Sequence, residues 1–455
     1  MSLAGCAAYR AAPLEAQRSA DDFGMRRIDS AGVHAAVARL MPQAAVSWPP
    51  QEWDRALLLA VALTRNPHLG TARAEAQAAV AREIEAAQRP NPDVTLLSEY
   101  ARHEPQPWLY GLSLNWLIRS SGRRRLDIKI ARLRTSGAEL ALMERIWTVR
   151  RNLDAALSEM QGAQRGLVLL DRLSAAQDRL IALERRRIDA GEDPASELIV
   201  AAQTRAAMEQ EAAHWRAAAD AGRSRAAAAL GLPPQALTGV RIAWPDWGAP
   251  PPVDGAMLHK IGERALLSRA DLGIAIGEYA AAEARLKRAV ARQYPQFTLG
   301  PGYYWDHGIA KFPLDLGFTL PLNRNRGEIA AARADRRVAA KRMLALQADI
   351  YGEIAAAEHA EAVARASVES AERRLGAARR QAEQADLAVR LGESGAERRL
   401  GAAIGLARAR LGVVQMRAQL QNARDALEDA LHAPLSGPEL ALSGTFYANQ
   451  AGAGS

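Results

Sequence analysis

The side chains here that could do chemistry are charged rather than catalytic. Eight histidines (His34, His68, His103, His214, His259, His307, His359 and His432) are scattered over 455 residues, and none fall into metal-ligand spacing. No catalytic constellation and no glycine-rich phosphate loop is visible. Neither an enzyme nor a cofactor is expected, and no metal site is assigned. Charge gathers instead at two chain reversals. Arg187, Asp189, Glu192, Asp193 and Glu197 surround Gly191, and Arg390, Glu393 and Glu397 surround Gly392. Carboxylates and guanidiniums at such points attract or repel passing ions, and they pair to hold segments together. Glycine suits the reversal itself. The competing reading is a pair of solvated turns with no further role.

Those reversals interrupt very long helices, and the helices belong to a duplication. Leu69-Gly70 recurs as Leu272-Gly273, Pro92 as Pro295, and Thr95-Leu96 as Thr298-Leu299, about two hundred positions later. No proline occurs between Pro107 and Pro194 or between Pro321 and Pro434. In the first stretch a heptad seam runs Ile146, Val149, Leu153, Ala156, Met160, Ala163, Leu167, Leu170. In the second it runs Ile350, Ile354, Ala357, then Ala364, Val368, Ala371, with Glu361 as one polar interruption. A sustained seam of this kind predicts coiled-coil packing. About sixty helical residues span ~90 Å at 1.5 Å each, a rod or conduit rather than a globule.

Between the shorter and longer helices of each copy, the apolar period changes to two. Val94, Leu96, Ser98 and Tyr100 alternate with Asp93, Thr95, Leu97 and Glu99. Trp108, Tyr110, Leu112, Leu114, Trp116 and Ile118 share a face, as do Phe297, Leu299, Pro301, Tyr303 and Trp305, and then Leu314, Leu316, Phe318 and Leu320. These are strands of about ten residues, the length of a tilted strand crossing a bilayer. Trp108, Tyr110, Trp116, Tyr303 and Trp305 are assigned to the membrane interface. A soluble four-stranded sheet with one face on a core is the alternative. In lipid only a closed barrel can span, and bacterial barrels start at eight strands. Four strands per chain cannot close one, but three copies supply twelve.

The resulting layout is a leader over 1–50, a first repeat over 51–232, a Pro-rich linker over 233–254, a second repeat over 255–434 and a flexible tail over 435–455. Strands are expected near 93–100, 107–118, 296–305 and 313–322, with hairpin tips near 191 and 392. The net charge of +8 comes from 59 basic and 51 acidic residues. Because the arginines alternate with Glu and Asp along helices, a solvated face is favoured over nucleic-acid binding. No run of eighteen apolar residues is present, so no transmembrane helix is expected. Cys6 is the single cysteine and excludes an internal disulfide. Leu3-Ala4-Gly5-Cys6 resembles a bacterial lipobox, which makes Cys6 the expected lipid anchor, as in palmitate-bearing lipoproteins. The basic and apolar signal regions are missing ahead of it, so the start is expected to be truncated or assigned too late.

Three groups of residues carry a family resemblance. They are Ala60–Leu69 with Arg89-Pro90-Asn91-Pro92, then Gly122-Arg123-Arg124-Arg125, and then Tyr294-Pro295 with Pro321-Leu322-Asn323-Arg324-Asn325-Arg326-Gly327-Glu328 through Arg333. They resemble the TolC family of outer membrane efflux proteins over about residues 50–434, and the last stretch is most similar to its cobalt–zinc–cadmium resistance branch. The resemblance implies a mainly α fold with a membrane β-barrel part. A homotrimer would close a 12-stranded barrel and a 12-helix tube in the outer membrane and periplasm. A periplasmic adaptor and an inner-membrane resistance–nodulation–division pump would feed this passive conduit with heavy-metal cations. The tip residues would form the periplasmic gate and meet the adaptor. Multidrug efflux and type I secretion stay open as cargo. The reading from another class is a soluble coiled-coil scaffold without a pore.

Overall fold

The computed structural model describes residues 9–118, 121–192, 194–320 and 322–439; Cys6 and Asp193 lie outside them. The chain is mainly helical. Its elements are α1 (Ala16–Gly24), α2 (Ala31–Leu40), α3 (Arg55–Arg65), α4 (Pro67–Ala87), β1 (Asp93–Tyr100), β2 (Trp108–Ile118), α5 (Arg123–Asp189), α6 (Ala195–Leu230), α7 (Gly255–Ser268), α8 (Ala270–Ala291), β3 (Phe297–Asp306), β4 (Ile309–Lys311), β5 (Leu314–Phe318), α9 (Arg326–Arg390) and α10 (Ala396–Leu431). Two compact units form. The first takes Met1–Leu69, Ile146–Gly262 and Glu353–Ser455, and the second Gly70–Arg145 and Glu263–Gly352. Each sequence repeat contributes to both.

In the first unit the long helices bury the seam read from the sequence. Val149, Leu153, Ala156, Met160, Ala163 and Leu170 of α5 are buried, as are Ile354, Ala357, Val368 and Ala371 of α9. Leu170 and Leu173 meet Met208 and Ala212 of α6 and Ile404 and Leu411 of α10. Small residues set the spacing. A Cβ on Gly222 of α6 would lie 3.0 Å from the Ala156 carbonyl oxygen of α5, so these two helices touch backbone to backbone. Apolar burial of this kind yields about 25 cal/mol per Å². Alanine supplies little area per residue, and the contact must therefore be long.

All four long helices end in the same way. Glu192 N–H donates to Arg187 O (2.8 Å) and Gly191 N–H to Ile188 O (2.9 Å); Glu393 and Gly392 repeat the pair on Ala388 O and Val389 O. Leu232 and Gly231 close α6, and Ala433 and His432 close α10. Each is a Schellman motif with its αL residue at positive φ. Gly231 has no alternative, because a Cβ there would fall 2.3 Å from the Arg65 carbonyl oxygen. His432 occupies the same position at φ +46° and stacks on Trp147 at 5.3 Å.

Three stretches depart from the sequence expectation. The leader, for which no helix is expected from the sequence, carries α1 and α2, and Val33, Ala36 and Val37 line one buried side of α2. Trp48 stacks on His34 at 4.9 Å. The linker over 233–254 is core. Leu237, Trp244 and Trp247 are buried, and the carbonyls of Pro250 and Pro251 accept from Arg365 and Arg424. Pro234–Leu237 forms one turn of 3-10 helix and Ile242 bridges to Trp53; elsewhere the prolines lack N–H donors, so the stretch pairs largely through side chains and carbonyls. The tail, expected to be flexible from Leu435, is anchored as far as Glu439. Leu435 N–H donates to Glu428 Oε1 (3.0 Å), and the buried Glu439 carboxylate pairs with Arg150 at 2.7 Å.

That last pair belongs to a buried ionic cluster. Arg150 on α5 also binds Glu428 of α10 and approaches Asp154 at 3.5 Å. Arg55 of α3 lies 4.0 Å from Asp154, with its guanidinium 4.6 Å over Trp244. Arg424 lies 3.6 Å from Glu428 and 3.9 Å from Glu361, the residue that interrupts the α9 seam. Gln421 donates to Asp425 at 2.8 Å. Three guanidiniums (Arg55, Arg150, Arg424) thus share the interior with Asp154, Asp425, Glu428 and Glu439, so one carboxylate is in excess. Burial raises Asp154 well above the usual range, and burial beside Glu428 pushes Asp425 up to about 7. A carboxylate with a raised folded-state pKa holds its proton longer in the folded state. Stability therefore falls as pH rises from about 4 to about 7 and stays lower above that. For Asp425→Asn we expect a denaturation midpoint close to wild type at pH 4.5 and above it at pH 8. A variant less stable than wild type at pH 8 would mean that the ionised Asp425 is a net stabilising partner.

Candidate functional site

The second unit contains the sheet. β1, β2 and β3 pair antiparallel in sequence order, and β3 carries both β4 and β5 on its other edge. β4 and β5 are one strand broken at Phe312-Pro313. Proline lacks the N–H, yet its carbonyl still accepts from Gly302 N–H at 2.9 Å. The fourth strand, expected over 313–322, is regular only from Leu314 to Phe318. The register puts every apolar alternate on one face: Leu96 opposite Leu112, Leu112 opposite Tyr303, Trp116 opposite Leu299, and Leu299 opposite Leu316. In the free chain this face is bare, with Leu96 79%, Trp108 53% and Leu316 63% exposed. The alternative of a face resting on a core fails among the described residues, because no element of the unit covers this face.

Aromatics gather at the two ends of this face. Tyr100 meets Trp108 (5.0 Å), Tyr110 stacks on Trp305 (6.4 Å), and Tyr303 meets Phe312 (5.2 Å) beside the connecting turns. At the helix end are Trp116 and the pair Phe297–Phe318 (6.2 Å). The opposite face is small or polar. Tyr304 lies across Gly111, where a Cβ would fall 2.1 Å from its ring, and Thr298 lies over Gly317 at 2.5 Å from such a Cβ. Glycine here makes room for a cross-strand side chain.

Four helices continue the strands in the same order. Arg132 of α5 pairs with Glu83 of α4 (3.2 Å), Arg288 of α8 with Asp127 of α5 (3.1 Å), and Arg292 beside α8 with Glu328 of α9 (2.7 Å). The strand-to-helix transitions use the family-like motifs. Arg123 donates to the carbonyls of Ala291 (3.2 Å) and Tyr294 at the end of α8, and Arg124 to the carbonyl of Ala87, the last residue of α4. Asn325, at φ +52°, donates to Ala289 O (2.9 Å) and to Glu328 (2.7 Å). Cations at helix C-termini satisfy orphan carbonyls and complement the dipole. Reading the sequence singled out these motifs only as resemblance. The usable signal was arginine just beyond a predicted strand.

The tips sit in the first unit. Arg187 Nη1 donates to Glu397 Oε2 at 2.7 Å, joining the first hairpin to the second, and its Nε lies 3.5 Å from Glu192. Arg390 binds Asp386 one turn back. Asp189, Glu197 and Glu393 make no ion pair among the described residues. Of the residues picked from sequence at the tips, the structure brings together Arg187, Glu192 and Glu397 and leaves Asp189, Glu197, Arg390 and Glu393 on the surface.

For the sheet we expect Gly111→Ala to cost about 1–3 kcal/mol by overpacking, read as a lower thermal midpoint in detergent. Adding Tyr304→Ala should recover most of the loss. If the double variant is merely the sum of two losses, the ring does not need that space.

Residues 58–232 match the family described as "Outer membrane efflux protein". No curated protein matches the sequence. Among solved structures, the outer-membrane channel OprN is 21% identical with a TM-score of 0.70, covering 84% of this chain and 90% of its own. VceC from Vibrio cholerae is 18% identical (TM-score 0.67; 83% and 96% covered), and CusC is 16% identical (0.68; 86% and 95%). Over residues 58–232 the chain is thus similar to the outer membrane efflux protein family, and its fold is that of TolC-like channels.

Proposed function

We propose that three copies of this chain form a passive efflux conduit of the bacterial outer membrane. One observation carries the reading: an apolar sheet face exposed to solvent, flanked by two unpaired strand edges, β1 and β4/β5. A neighbouring copy's β1 against this copy's β5 satisfies both edges, and three copies give twelve strands. The two aromatic rows then fall at the two membrane interfaces. The family of this conduit supports a periplasmic adaptor and an inner-membrane pump as the partners that supply substrate and energy. Heavy-metal cations are the proposed cargo, on the stretch Pro321–Arg333, with Cys6 as the proposed lipid anchor.

The purified protein is expected to need detergent, to measure as three chains by light scattering, and to pass current in planar bilayers. Deleting the gene is expected to lower tolerance to zinc, cobalt or cadmium. A water-soluble monomer without conductance sinks the conduit. Unchanged tolerance to all three metals sinks only the cargo.

We also propose that the tips form the gate. The Arg187–Glu397 pair holds the two hairpin ends of one chain together, and Asp189, Glu192, Glu197, Arg390 and Glu393 present charge around the same aperture. An exposed pair is worth about 0.2–1 kcal/mol, so Glu397→Gln should raise open probability by roughly 1.4-fold to fivefold for each pair broken. Single-channel recording decides this: unchanged open probability and ion preference would leave the tip residues as ordinary solvated turns.

A further inference from the structure

Just below the sheet, the second unit contains a cleft of about 870 Å³ between the end of α4, the start of α5 and the end of α8. Five arginines line it: Arg82, Arg89, Arg134, Arg285 and Arg288. The acidic residues are Glu85 and Asp127, and Asp127 is taken by Arg288 at 3.1 Å. Arg82, Arg89, Arg134 and Arg285 make no ion pair among the described residues. Four guanidiniums therefore face one carboxylate, an excess of three positive charges per chain.

The cleft lies on a definite side of the helix layer. At 100° per residue, Arg82 and Glu85 project from α4 opposite to the exposed Val80 and Ile84, and Arg285 and Arg288 project from α8 opposite to the exposed Val290. On that opposite side, α5 and α8 enclose a separate hollow lined by Leu126, Val290 and Tyr294 together with Arg125 and Lys287. Cations occur on both sides of the layer, but the cleft gathers five arginines against two carboxylates, whereas the opposite hollow is lined by Arg125 and Lys287 among apolar residues. The sheet above it is apolar on one face and small or polar on the other. Helices packed side by side in a row enclose a hollow across three members only on the concave side of the row. Curvature therefore assigns the arginine side, whose cleft spans α4, α5 and α8, to the interior.

Resting on the conduit reading, we infer that this cleft is an anion-binding site in the channel lumen, at the neck beneath the barrel, selecting phosphate- or carboxylate-bearing solutes. The guanidinium fork matches such oxyanions bidentately. A bare divalent cation is repelled at this level and must pass against the field or as an anionic complex. Screening over about 8 Å at physiological salt confines the effect to the neck.

The test uses the full-length trimer in planar bilayers of zwitterionic lipid under a KCl gradient. Wild type should favour chloride over potassium, and millimolar inorganic phosphate should reduce its chloride current. Arg82→Gln, Arg134→Gln and Arg285→Gln together should lower the chloride-to-potassium permeability ratio at least twofold and abolish the phosphate effect. Arg134→Gln alone, should the triple variant assemble poorly, should shift both in the same direction. A conducting wild type whose ratio and phosphate response equal those of the variants overturns the site and leaves the conduit standing; absence of any current overturns the conduit itself. A phosphate effect that disappears when phosphatidylglycerol replaces the zwitterionic lipid assigns the cleft to a lipid headgroup and overturns its place in the lumen.

Discussion

Backbone hydrogen bonding at two sheet edges is the constraint on which the rest of this structure depends. β1 and β4/β5 each leave one row of N–H and C=O groups without a strand partner. Water can satisfy those rows but penalises the bare apolar face. Hydrocarbon accepts the face but leaves the rows unpaired, at several kcal/mol for each buried polar group. Neither solvent suits the single chain. Pairing edge to edge with identical neighbours, as in the proposed trimer, would remove both penalties together, and the helices α4, α5, α8 and α9, aligned in strand order, would be carried into the same closed ring.

A second constraint follows at the junction of strand and helix. The side-chain period changes there from two to 3.6, and α4 and α8 both end at this junction with orphan carbonyls. The chain answers with Arg123 and Arg124 on the α8 and α4 ends, and with Asn325 on α8 from the second repeat. Arginine is suited because one planar fork reaches two carbonyls, as Arg123 does on Ala291 and Tyr294. Arg82, Arg89, Arg134 and Arg285 of the cleft make no such pairs among the described residues, although they lie within about three turns of the same junction. Similar residues at one level thus do two jobs, and the hydrogen-bond partners separate them.

Period and punctuation made the long helices, both reversals and the first three strands legible in the sequence. The α5 seam and the alternation from Trp108 to Ile118 are strong because burial repeats over many residues. What stayed illegible depends on contacts distant in sequence. Proline content made 233–254 look like a linker, yet Trp244 and Trp247 find their cover on α3 and α5. The last residues before Glu439 read as a small, polar tail, and only the burial of Arg150 hundreds of positions earlier explains their order. At the tips, charge was readable from the sequence, but the pairing of Arg187 with Glu397 across the two repeats was not.

The buried ionic cluster addresses a weakness that the seams create. An alanine-rich seam is nearly uniform, so sliding one helix past another exchanges alanine for alanine at little cost in buried area. Register must come from positions that are not interchangeable. Glu361 breaks the α9 seam where Arg424 of α10 arrives, and Arg150 of α5 meets Glu428 of α10 and Glu439 beyond it. Shifting any of these helices by a turn would strand a buried charge, at about 3–5 kcal/mol for each broken pair. Hydrophobic residues of equal volume could match the stability of the cluster, but they would not tell one heptad from the next. In a layer of long Ala-lined helices that distinction sets the height at which the two hairpin tips meet.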